Sequence, residues 1–186
     1  ADPHTPIDAS EEQIQELAEA VRSRGLVVGS VVAPVWPPVG GGSAMGTQEE
    51  RDRFVEMVEN AARIASRLRE LGVRPYGVVR IDSAAGVDAW AEDPEGNTEI
   101  IAETFRRASE AAAKYGERLA CEGEICWGGM HSWRDMVDLL EKVDQPGQVG
   151  FQADMSHTLL YTLGANAPEH RLVDEDFDWD RAELDA

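Results

Sequence analysis

Apolar positions along the chain alternate between a helical period and short continuous runs. Ser10-Glu11-Glu12-Gln13 forms a capping box, and Ile14, Leu17, Ala18 and Val21 follow at three-and-four spacing. This predicts a helix ended by Arg24-Gly25. Residues 26–32 are a β-branched run and predict a strand buried on both faces. A Pro- and Gly-rich loop covers residues 34–46. Thr47-Gln48-Glu49-Glu50 is a second capping box, and it opens a helix bearing Phe54, Met57, Val58, Ala61, Ile64, Ala65, Leu68 and Leu71, with Gly72 as its stop. The next strand is expected over residues 76–82. After a polar loop, Ile101, Phe105, Ala108 and Ala112 mark a third long helix, closed by Gly116. Residues 119–124 predict a third strand. Ser132-Trp133-Arg134-Asp135 then caps a helix bearing Met136, Val137, Leu140 and Val143. A turn at residues 144–147 leads to a fourth strand over residues 149–153.

Strand, helix and strand in regular succession imply a parallel sheet with right-handed crossovers. Two architectures satisfy that order, an open doubly wound sheet and a (β/α)₈ barrel. The glycines of residues 40–46 follow Trp36-Pro37-Pro38 rather than a strand, so they fail the dinucleotide fingerprint. No Lys follows the last of them, which excludes a P-loop. The expected fold is therefore α/β of the TIM-barrel type, a partial barrel of about four βα units forming a single domain. Its core is expected over residues 10–165, with an acidic arm over 166–186. A full barrel needs about 250 residues. The 186-residue chain is thus expected to be a fragment that lacks a first strand and the later half, or a half-barrel that associates into a homo-oligomer through its open edges.

Charge narrows the partners. The chain carries 36 acidic and 17 basic side chains, a formal net charge of −19. That repels phosphate backbones and argues against nucleic acid. No run of ~18 apolar residues exists to span a membrane. The N-terminal Ala-Asp-Pro-His-Thr-Pro shows no signal-peptide pattern. Cys121 and Cys126, read on one extended strand, lie about 16 Å apart, too far for a disulfide. They are expected to be free thiols, which fits a reducing, cytoplasmic setting.

In a barrel, chemistry collects at the C-terminal ends of the strands. Asp154 closes the fourth run and His157 follows three residues later, as metal ligands or as a helix N-cap and a surface His. Glu122 and Glu124 share a face if the third strand extends that far, and two buried carboxylates need a cation or hydrogen bonds. Arg80 and Asp82 can pair with each other or contact substrate hydroxyls. Trp36, Trp127 and Trp133 can wall a sugar ring or simply pack. His131 can face the same pocket, while His4 and His170 read as surface residues.

The runs Leu119-Ala120-Cys121-Glu122 and Val149-Gly150-Phe151-Gln152-Ala153-Asp154-Met155-Ser156-His157 resemble the xylose isomerase-like TIM-barrel superfamily. The resemblance covers most of residues 10–165. It implies a sugar isomerase or epimerase that uses a divalent metal, Mn, Mg, Co or Zn. The reaction is proton or hydride transfer between adjacent carbons of a sugar or related polyol. It further implies Glu122, Asp154 and His157 as metal ligands, with Glu122 as catalytic base. Trp36, Arg80, Asp82, Glu124 and His131 become candidates for binding the carbohydrate. The remaining His and Glu ligands of that superfamily come from later strands. An endonuclease IV-like phosphodiesterase with the same ligand logic and a non-catalytic barrel fragment are the alternatives.

Overall fold

The computed structural model describes residues 5–37, 39–174 and 176–177. Among these residues four strands, β1 (Val31–Val32), β2 (Val78–Ile81), β3 (Arg118–Glu122) and β4 (Val149–Gln152), form one sheet in sequence order. All three pairings are parallel. The helices are α1 (Glu11–Arg22), α2 (Gln48–Glu70), α3 (Val87–Trp90), α4 (Pro94–Ala113), α5 (Trp133–Val143) and α6 (Met155–Thr162). This is a partial TIM barrel, four βα units of an α/β fold.

Both capping boxes form as the pattern requires. Ser10 and Thr47 accept the backbone N–H groups of Gln13 and Glu50, whose side chains reach back to the cap. Side-chain alternation sorts the sheet into two faces. Val79, Ile81, Leu119, Cys121 and Val149 are buried in the main core with Phe54, Ile101, Phe105 and Leu139. Phe54 and Phe105 stack at 5.8 Å, locking α2 to α4. The other face carries Val78, Arg80, Ala120, Glu122, Gly150 and Gln152, none of which is fully buried.

The first strand departs from expectation. Only Val31–Val32 pairs with a neighbour, and Leu26 and Val27 are 60% and 63% exposed. Pairing explains this. The neighbouring β2 starts at Val78, which matches Ser30 in register, so residues 26–29 have no strand alongside. Edge position does the same to Phe151 of β4, which keeps 44% exposure although it points to the helix side. The third and fourth strands stop at Glu122 and Gln152, leaving Glu124 and Ala153 outside them, and the loop after β2 contains the unexpected short α3. Cys121 lies in β3 and Cys126 in the following loop, so they do not share a strand, and both are free. Within the acidic arm, Pro168–His170 forms a 3-10 turn, and Glu175, Asp178, Asp180, Arg181, Glu183 and Asp185 lie outside the described residues, as does His4.

At the N-terminal end of the sheet a polar network closes around a buried carboxylate. Glu117, just before β3, has its Oε1 2.5 Å from Arg69 Nη1 and 3.0 Å from Arg74 Nη1. The side chains of Arg74 and Glu117 are both fully buried. Arg74 also donates to the carbonyls of Gly29 and Val78, tying the approach to β1 to the start of β2.

Candidate active site at the strand ends

The opposite end of the same strands is built around Arg80. Register sets Arg80 beside Ala120, and Glu122 is the next residue of β3 on that face. The Arg80 guanidinium contacts Glu122 through Nε and Glu124 through Nη2, and Asp82 Oδ2 is 3.9 Å away. One guanidinium thus serves three carboxylates. All four side chains are largely withdrawn from water, Arg80 at 11% exposure and Asp82 at 1%.

Glu124 lies past the strand and is held there by further donors. Trp127 Nε1 is 3.2 Å and Cys126 Sγ 3.5 Å from its Oε2. Burial, followed by the bond to Glu124, pushes the Cys126 thiol up to about 11, so it is not a thiolate at neutral pH. Between the two glutamates, Gly123 is required by packing: a Cβ there would collide with the Tyr161 hydroxyl and press on Phe151. The Tyr161 hydroxyl donates to the Met130 carbonyl, so α6 holds down the loop after β3.

Asp82 is enclosed by the turn it makes. Its Oδ1 accepts the Ala84 N–H at 3.0 Å, and Ala84 adopts φ +49°, a left-handed conformation supported by that bond. Burial pushes the Asp82 carboxyl up to about 6 against the favourable charge of Arg80, and Glu124 and Glu122 push it the same way.

Asp154 is the N-cap of α6, and its Oδ1 accepts the N–H groups of Ser156 at 2.8 Å and His157 at 3.1 Å. The His157 N–H, more than any other influence, holds the Asp154 carboxyl below its ordinary range, and Arg80 is close enough to add to the shift. The helix-cap reading is therefore realised, and the same carboxylate stands at the mouth of β4, next to β3. His157 is half-buried, with a buried Nδ1 that has no hydrogen-bond partner.

The remaining candidates lie elsewhere. Trp36 lines an apolar groove of about 280 Å³ with Ile7, Leu17, Val28, Val31 and Ile64, at the β1 edge. His131 is buried, edge-on to Trp90 at 4.9 Å, with Nε2 3.4 Å from Asp135 Oδ2; burial lowers its pKa, partly offset by Asp135. His170 is not a free surface residue: its Nδ1 is 2.8 Å from Ser132 Oγ, and its carbonyl accepts Trp133 Nε1 at 2.6 Å. The strand-end group therefore gathers Arg80, Asp82, Glu122 and Glu124, with Asp154 alongside, and leaves out Trp36 and His131. Trp127, a candidate sugar wall from the sequence, bonds Glu124, while the support from Tyr161 had one visible signal, the lone Gly123 between two acids.

Glu122, Asp154 and His157 offer two oxygens and a nitrogen, a donor set suited to a hard or borderline divalent cation. Among the described residues, however, no three His, Cys, Asp or Glu side chains converge closely enough to hold an ion. Glu122 is engaged by Arg80. Among the described residues, then, these three side chains are not assembled into a divalent-cation site.

A family model described as a xylose isomerase-like TIM barrel matches residues 1–181. No curated protein matches. Among solved structures, a xylose isomerase-like TIM barrel protein from Mycobacterium smegmatis, in complex with magnesium, aligns with TM-score 0.59 and 16% identity over 83% of this chain and 49% of that one. The E. coli 3-keto-D-glucoside 4-epimerase aligns with TM-score 0.60 and 17% identity over 83% of this chain and 60% of that one. A sugar phosphate isomerase/epimerase from Parabacteroides distasonis aligns with TM-score 0.53 and 16% identity over 85% and 54%. At such identities the likeness is one of fold, and the chain spans roughly half of the length of the structures it matches. No helix among the described residues is long and apolar enough to cross a membrane.

Proposed function

The chain belongs to the xylose isomerase-like TIM barrel family, and from that premise we propose that it carries part of the active site of a divalent-metal-dependent sugar isomerase or epimerase. The substrate is a sugar or related polyol, and a proton or hydride moves between adjacent carbons. The observation that carries this reading is the carboxylate-rich group at the C-terminal ends of β2, β3 and β4, where barrel enzymes do their chemistry.

In this reading Glu122 and Asp154 hold the cation, with His157 as a further ligand or a substrate contact. A bound cation supplies Lewis acidity toward a carbonyl or hydroxyl oxygen. Arg80, Asp82 and Glu124 orient hydroxyl groups around it. In the proton-transfer version Glu122 also carries the proton between carbons. In the hydride version it only holds metal. A phosphodiesterase of the endonuclease IV kind shares the ligand logic, but −19 net charge opposes a DNA substrate.

The test is elemental analysis of protein purified without chelator, beside the Glu122→Gln, Asp154→Asn double variant. Stoichiometric divalent metal in the wild type and its loss in the variant are expected. Metal-free wild type that takes up no Mn²⁺ would leave the chain a non-catalytic part of a barrel. For active preparations, turnover in D₂O separates the chemistries, since proton transfer exchanges with solvent and a hydride shift does not.

A further inference from the structure

We propose that the two open edges of the sheet bind a second copy of this chain, with β4 and α6 of each copy docked on β1 of the other, so that two half-barrels close one eight-stranded barrel. This interface requires only the family fold, with no cation or substrate, so its failure and that of the metal-dependent reading are separable.

Among the described residues β1 and β4 are the terminal strands of the sheet, each paired on one side only. Soluble proteins commonly guard such edges with charge. This chain is 28% charged, yet residues 25–48, which include β1, hold no Asp, Glu, Lys or Arg, and residues 145–168, which include β4 and α6, hold Asp154 alone. Both stretches expose apolar side chains instead, Leu26, Val27 and Val39 at one edge and Phe151, Met155 and Leu159 at the other. Loss of charge around exposed apolar groups marks a surface that protein covers. The edges also differ in shape. At the β1 edge lies the apolar groove of about 280 Å³, lined by Leu17 of α1 and by Val28, Val31 and Trp36. The β4 edge presents a ridge, because Met155 and Leu159 stand four residues apart on one side of α6. Strand count favours a second copy as the occupant. The sheet has four strands where a barrel of this type has eight, and the chain spans 49% and 60% of two structures it matches. A half-turn about the barrel axis sets β4 of each copy parallel to β1 of the other, the sense of every pairing within the sheet. The two seams are then identical, and assembly stops at two.

The experiment is light scattering on the full 186-residue chain across the micromolar range, in about 0.15 M salt so that repulsion between acidic copies is screened. A mass of twice the chain is expected. Val39→Lys and Leu159→Glu each put one unpaired charge into both seams, and each is expected to weaken dimerisation about tenfold or more. Circular dichroism checks that they fold; should either fail, the more exposed Val27→Lys or Met155→Glu replaces it at the same edge. Mixed in equal amounts, the two variants are expected to recover the dimer, because the lysine and the glutamate then share one seam and leave the other unaltered. A chain that stays monomeric overturns the inference, and so does an open polymer. A dimer that tolerates charge at the β1 edge also overturns it, since such a dimer is joined without that edge. Stoichiometric Mn²⁺ uptake by a monomeric chain would leave the metal-dependent function standing.

Discussion

At the N-terminal ends of β2 and β3 one carboxylate, Glu117, sits between two guanidiniums, Arg69 and Arg74. At the C-terminal ends of the same strands one guanidinium, Arg80, sits among three carboxylates. In the first group Arg74 and Glu117 are fully buried, and both guanidiniums are braced by backbone carbonyls. The second reaches the sheet's uncovered face and carries excess negative charge. A surplus of one sign is costly in a folded protein unless something else is to bind there. In the proposed function these strands divide their labour by end, with stability at one and ligand chemistry at the other.

The sharpest way to break the contrast is Glu117→Gln. It strands the fully buried Arg74 guanidinium and is expected to cost about 3–5 kcal/mol in urea denaturation. A loss below about 1 kcal/mol would mean that the N-terminal network is as dispensable as a surface pair.

The next effect has the opposite sign. The folded-state pKa of Asp82 is raised to about 6, above its ordinary 3.8. Between those values the native state binds the extra proton, so stability falls as pH rises from about 4 to about 6 and is level above. The Asp82 contribution is about 3 kcal/mol at most. Asp82→Asn preserves an oxygen for the Ala84 N–H and should remove this slope. Melting curves of both proteins across that pH range provide the check; parallel curves would remove Asp82 from the charged group.

The smallest effect sharpens the role of Asp154. Asn caps helices as well as Asp, so Asp154→Asn should leave Tm nearly unchanged, while Asp154→Ala lowers it by about 2–4 °C. Both variants should lose Mn²⁺ binding if the carboxylate is a ligand. Retained binding in Asp154→Asn would reduce Asp154 to a cap alone.

Local signals made much of this legible. Capping boxes at Ser10 and Thr47 and the three-and-four pattern of α2 and α4 depend on neighbours within one or two turns. The run at residues 26–32 misled because burial of a strand depends on what lies beside it, which no window of sequence contains. The same limit applies to the candidate site. Arg80, Asp82, Glu122 and Glu124 could be marked as strand-end residues, but their convergence on one guanidinium depends on the β2–β3 register. Spacing alone could not separate the cap from the ligand at Asp154, since one carboxylate serves both geometries. Glu117 offered no signal, because Gly116-Glu117-Arg118 reads as an exposed turn until Arg69 and Arg74 are brought to it.

The order of the sheet follows the order of the chain, and each strand leans only on the one made just before it. For a polypeptide leaving the ribosome, this lets every new βα unit dock on a surface already present without waiting for a distant segment. Growth then proceeds from one advancing rim, and Phe151 marks where that rim stands at β4. Pairings confined to successive units keep the loops to be closed short, which favours rapid assembly over the slow search of a sheet whose strands interleave.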